Sequence, residues 1–122
     1  MGKDLHYLVV KFFRERMEGH SKVVRYTELQ NENDILYEVE RIAGLPPLVV
    51  HLSDAYRYTL QDYYSKPKSL GSGDFILIAR PESGCDLDIV SIAAREKIGI
   101  GKIGILLGAL NQKSVWQYRP KE

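Results

Sequence analysis

The run Phe75-Ile76-Leu77-Ile78-Ala79 constrains this chain more than any other feature. Its apolar residues follow one another without a polar alternate, so a strand there is apolar on both faces and belongs inside a sheet. Gly71 and Gly73 precede it and Pro81 to Gly84 breaks it. A second buried strand, Leu48 to Leu52, follows Gly44-Leu45-Pro46-Pro47, where each proline removes a backbone donor and restrains its neighbour. Lys22 to Leu29 reads as a further strand, with Val23, Val24 and Tyr26 as β-formers.

Helices are expected between these strands. Leu5, Leu8, Val9, Phe12, Phe13 and Met17 recur at helical spacing, with Asp4 as N-cap and Gly19 as stop. Asp54 to Ser65 reads as a tyrosine-rich helix closed by Lys66-Pro67. A third helix, capped by Ser83 or Asp86, carries Leu87, Val90, Ala94 and Ile98 as one buried stripe; Gly99 ends it as a C′ residue. Lys102 to Leu110 then reads as a last strand. This alternation makes an α/β fold.

Asp34 to Ala43 is the segment that decides between two architectures. Ile35, Tyr37 and Val39 alternate as in a strand, yet Ile35, Leu36, Val39, Ile42 and Ala43 also fit a helix between Asn33 and Gly44. A strand there gives a mixed central sheet of four to five strands flanked by helices. A helix gives a small parallel-sheet three-layer α/β domain.

At 122 residues the chain is expected to be a single domain, with a polar C-terminal tail from about residue 111. Seventeen Lys and Arg against 16 Asp and Glu leave a net charge of +1, which removes the electrostatic case for a coat on nucleic acid or on a membrane surface. The lone Cys85 forms no internal disulfide and no thiolate metal site. Lys11 and Arg14 interrupt the apolar Leu8-Val9-Val10, and Ile103 to Leu110 is far short of the ~20 residues of a bilayer span. A cytoplasmic protein with no membrane association is expected.

The order of these elements resembles the restriction-endonuclease-like, or PD-(D/E)xK, nuclease superfamily over roughly residues 5 to 110. Asn33-Asp34 before Ile35-Leu36 is similar to its Pro-Asp site, and Leu48-Val49-Val50-His51-Leu52-Ser53 is similar to its Glu-x-Lys strand. Gln61 and Tyr64 resemble the Gln and Tyr that some branches place near substrate. The resemblance implies a restriction-endonuclease-like core with Asp34, His51 and Ser53 at the catalytic positions. Two of those three have changed. In the family, two carboxylates hold Mg²⁺ by hard oxygen ligands and the Lys ammonium stabilises charge on the attacked phosphate. Imidazole nitrogen suits Zn²⁺ or Mn²⁺ better than Mg²⁺, and Ser53 carries no positive charge.

The leading expectation is therefore a nuclease-like scaffold impaired in catalysis, acting as a module that binds DNA, RNA or a protein partner in nucleic-acid metabolism. No cofactor is firmly implied. An active endonuclease is the alternative: it would use Mg²⁺ or Mn²⁺ on Asp34 with Glu28, or a carboxylate from Glu15, Glu38 or Glu40. A small-ligand-binding module would accompany the helical reading of Asp34 to Ala43, with Glu28, Ser53, Asp54 and Arg80 at its site. Arg57 and Tyr64, within a cluster that includes Tyr56, Tyr58 and Tyr63, offer stacking surfaces for unpaired bases, and Gln61 and Arg80 complete the substrate-binding candidates. Gly99-x-Gly101-x-x-Gly104 matches the dinucleotide fingerprint, but a helix is expected before it where a strand is required. A homodimer would pair through Ile103 to Leu110 or the tyrosine-rich helix.

Overall fold

The computed structural model describes residues 7–31, 34–53, 57–79, 84–85 and 87–118. Helix α1 (Tyr7–Glu18) leads into strands β1 (Val23–Leu29), β2 (Ile35–Arg41) and β3 (Leu48–Ser53). A short β4 (Arg57–Tyr58) precedes helix α2 (Leu60–Tyr64) and strand β5 (Phe75–Ile78). Then come β6 (Gly84–Cys85), α3 (Leu87–Arg95), β7 (Gly99–Gly101), α4 (Ile103–Ala109) and a 3-10 turn at Val115–Gln117.

The main sheet has five strands in the order β1-β2-β3-β5-β7. β1, β2 and β3 are antiparallel neighbours, whereas β3, β5 and β7 run parallel. The sheet is thus mixed, which removes the parallel-sheet alternative. Asp34 to Ala43 is not a helix: β2 is hydrogen-bonded on both sides, so its period-2 reading satisfies two ladders that a helix would forgo. β4 and β6 pair in a separate two-stranded sheet.

β5 is buried along its length, as its sequence requires. Phe75 and Leu77 join a core with Phe13 and Met17 of α1 and Leu106, Ala109 and Leu110 of α4. Ile76 and Ile78 join the opposite core with Tyr63 of α2 and Ile89 and Ala93 of α3. Each fully buried side chain of this size is worth about 1.5–3 kcal/mol. Helices cover both faces, so the sheet lies between two apolar layers.

Several expectations about the elements are corrected. Lys102 to Leu110 is not a strand; only Gly99–Gly101 extends beside β5, and Ile103–Ala109 is helical. Leu106, Ala109 and Leu110 are buried at i, i+3 and i+4, a helical spacing hidden in a run that is apolar throughout. Gly99 does not cap α3. Lys97 takes the left-handed conformation there (φ 63°), and Gly99 sits in β7 because a Cβ would stand 2.6 Å from Cδ2 of Phe75. The tyrosine-rich helix is shorter than Asp54 to Ser65. It starts at Leu60 behind a capping box, in which the Thr59 hydroxyl accepts from the Asp62 amide and the Asp62 carboxylate accepts from the Thr59 amide. In α3 the buried stripe is Ile89 and Ala93, while Val90 and Ala94 lie at its margin. The N-cap candidates Asp4, Ser83 and Asp86 lie outside the described residues. Among the described residues no helix is long and apolar enough to cross a membrane.

Candidate functional site

Strand pairing alone decides which motif residues can meet. In the β2–β3 ladder Ile35 faces Leu52 and Leu36 faces His51; one further step in that register sets Asp34 opposite Ser53. Residues two apart on a strand share a face. Asp34, His51 and Ser53 therefore sit together on the face covered by α2 and α3. Nε2 of His51 is 3.2 Å from Oδ1 of Asp34, a diagonal contact between neighbouring strands.

Local structure fixes this pair. The Asn31 side-chain oxygen accepts a hydrogen bond from the Asp34 amide at 2.8 Å, shaping the turn into β2. His51 is held inside the sheet, between the β2 and β5 ladders. The Asp34 side chain retains 26% exposure against 8% for His51, so the carboxylate is the half of the pair that meets solvent. Ser53 is buried, and its carbonyl accepts from the Ala79 amide at 3.1 Å.

Glu28 is not brought to this group. It pairs with Tyr37 across β1–β2, and Tyr37 belongs to the core on the α1 face. Glu28 thus lies on the opposite side of the sheet from Asp34, with its Oε1 3.3 Å from an Arg14 guanidinium nitrogen. Arg14 also donates to the Tyr37 hydroxyl at 2.7 Å, and that bond is the main cause raising its pKa above the ordinary value. Burial raises the Tyr37 hydroxyl in turn. Glu15 is exposed on α1. Glu38 and Glu40 do share a face with Asp34, but four and six residues along a strand place them roughly 13 and 20 Å away. Glu40 is moreover bonded to Arg25 at 2.7 Å.

Asp34 and His51 thus offer one carboxylate and one imidazole. Among the described residues no third His, Cys, Asp or Glu completes a metal-binding group. The nuclease resemblance implies two carboxylates for Mg²⁺; the described residues place one carboxylate and one imidazole at those positions.

The substrate-binding candidates divide. Gln61 and Tyr64 are exposed on α2, whose Tyr63 is buried against the same sheet face that carries Asp34 and His51. Arg57 is exposed on β4, next to the buried Tyr58. Tyr63 is a core residue: its hydroxyl donates to Glu96, Lys66 Nζ stands 3.9 Å from its ring centroid, and burial is the first cause raising its pKa. Arg80, Asp54 and Tyr56 lie outside the described residues. Helix α3 precedes Gly99, as expected, and Gly99 and Gly101 themselves form β7 ahead of α4, so the fingerprint lacks the strand it requires before its first glycine. Close packing accounts for both glycines, since a Cβ at Gly101 would stand 2.8 Å from Cβ of Ile105.

Sequence reasoning missed an apolar cavity between α1 and the end of β5. Its signal was present: Leu8 and Phe12 widen the apolar arc of α1 beyond the stripe of Phe13 and Met17 that the core takes up. Compared with known proteins, the chain matches no family model, no curated protein and no solved structure.

Proposed function

We propose that the chain is a nuclease-like scaffold of the restriction-endonuclease kind that binds nucleic acid and lacks competent Mg²⁺-dependent cleavage. The observation that carries this reading is the meeting of Asp34, just before β2, with His51 near the end of β3 on one sheet face. That is where the superfamily resemblance implies an acidic pair, and here an imidazole occupies the second place. Ser53 across from Asp34 leaves no ammonium to stabilise an attacked phosphate. Binding rather than turnover is supported by the exposed Arg57, Gln61 and Tyr64. Lys68, Arg95 and Lys97, exposed on or beside the same covering helices, add positive charge toward a phosphate backbone.

The test is a titration of labelled single-stranded, duplex and branched DNA and of RNA in a salt series, with EDTA, Mg²⁺ or Mn²⁺. Binding that weakens with salt, falls about 5- to 160-fold in Tyr64→Ala, and leaves the nucleic acid intact is expected. Absence of binding to every substrate at low salt refutes the binding half. Robust cutting abolished by Asp34→Ala refutes the impaired half. The double variant His51→Glu, Ser53→Lys restores the missing carboxylate and ammonium, and is expected to gain Mn²⁺ binding measurable by calorimetry.

A further inference from the structure

The C-terminal ends of α2 and α3 meet on the surface and present one bare aromatic ring beside a group of cations. Three contacts stitch them together. The Tyr63 hydroxyl donates to Glu96, Lys66 Nζ lies 4.0 Å from Glu96 Oε1, and the Gly73 amide donates to the Lys97 carbonyl at 2.7 Å. Tyr63 is buried, with Lys66 Nζ 3.9 Å from its ring centroid. It is therefore a fixed support for Tyr64, whose ring meets it edge to face with centroids 5.8 Å apart. Tyr64 itself stays 68% exposed, so most of its surface is open to a flat partner.

The cations beside this ring are free to bond, whereas the carboxylates are not. Asp62 accepts from the Thr59 amide and hydroxyl, and Asp74 accepts from the Val49 and Gly71 amides. Glu96 is held by Tyr63 and Lys66. Lys68, Arg95 and Lys97 are exposed, and among the described residues none of their side chains has a partner.

Given that the chain binds nucleic acid as proposed above, we infer that this surface takes a single strand in preference to duplex. An unpaired base stacks on Tyr64, and the phosphates beside it lie against Lys68, Arg95 and Lys97. Stacking demands a base with an open face, which a single strand offers throughout and a duplex only at its ends. Charge alone would favour the opposite order, because the duplex carries the denser array of phosphates.

Anisotropy titrations of the full chain test this with a short labelled single strand, the same sequence as duplex, and an abasic strand of equal length and charge. The single strand should bind tightest, about 5- to 160-fold above the abasic strand, the range that one base stacked on an aromatic ring supplies. Its affinity should fall with salt at a log–log slope near about −2, from three phosphates at about 0.7 each, and Lys97→Gln should remove about 0.7 of that slope. Tyr64→Ala should bind the intact and abasic strands alike, while Tyr64→Phe keeps the preference. Each variant changes an exposed side chain, so its melting curve should match the parent's. Duplex bound as tightly as the single strand, or a folded Tyr64→Ala that still discriminates against the abasic strand, overturns this inference and leaves nucleic-acid binding standing. So does a salt slope untouched when Lys68, Arg95 and Lys97 are all changed to Gln. Failure to bind any of the three nucleic acids at low salt overturns both.

Discussion

Arg41 is a cation inside an apolar core, and its removal measures how the end of β2 is tied to α4. Only 8% of the residue is exposed. Its Nε donates to the Pro46 carbonyl at 2.9 Å, and one terminal nitrogen donates to the Leu110 and Gln112 carbonyls at 3.0 and 2.7 Å. Burial pushes the guanidinium pKa down from its ordinary value, so three carbonyl dipoles offset a real desolvation cost. Arg41→Met keeps the stem and removes every donor. Pro46 and Gln112 are exposed and can turn their carbonyls to water, whereas the Leu110 carbonyl is left buried. One orphaned buried acceptor costs about 1–3 kcal/mol, and each hydrogen bond replaced by water about 0.5–1.5 kcal/mol. With relief of the buried charge subtracted, a net loss of about 2–4 kcal/mol follows. In urea unfolding this appears as a lower midpoint with an unchanged m-value. Arg41→Lys should lose most of the same stability, because one ammonium cannot reproduce the planar fork that spans Pro46 and the end of α4. A Met variant within ~0.5 kcal/mol of the parent, the scatter of neutral surface changes, or a Lys variant equal to it, would refute the argument.

Gly99→Ala places a methyl group against the buried Phe75 ring and 3.4 Å from the Val115 carbonyl, and should cost about 1–3 kcal/mol by overpacking, read from thermal or urea unfolding. Thr59→Ala removes the capping hydroxyl of α2 and should cost about 0.5–2 kcal/mol in the same assay. The hydrogen bond from Arg25 holds the Glu40 carboxyl below its ordinary value of 4.5. Its contribution is accordingly present above pH 4.5 and lost as the pH falls through the lower folded value. Glu40→Gln should therefore trail the parent at neutral pH and low salt, and match it in acid or in 1 M salt; a gap that persists in both conditions would show that the pairing is not electrostatic.

Some of this protein was already determined along the chain. Phe75 to Ala79 could be satisfied only inside a sheet, and β5 is interior with helices on both faces. The proline break set the start of β3 at Leu48, and Gly44 ahead of it has φ +91°, a conformation that side chains disfavour. Partners distant in sequence decided the rest. Asp34 to Ala43 fits two periods equally, and only the ladders to β1 and β3 select the strand. Ile103 to Leu110 is apolar at every position, so no period could show that it coils; the three-residue β7 and the packing of Leu106, Ala109 and Leu110 did. Register placed Glu28 on the far side of the sheet from Asp34, because a one-residue difference in strand parity reverses the face on which a side chain emerges. Arg41 reads as an ordinary charged residue beside Glu40 until carbonyls from residues 46, 110 and 112 converge on it. Local chemistry sets where strands begin and which runs must be buried. Which side chains meet depends on pairing and packing between segments far apart in the chain, and that information exists only once the sheet is assembled.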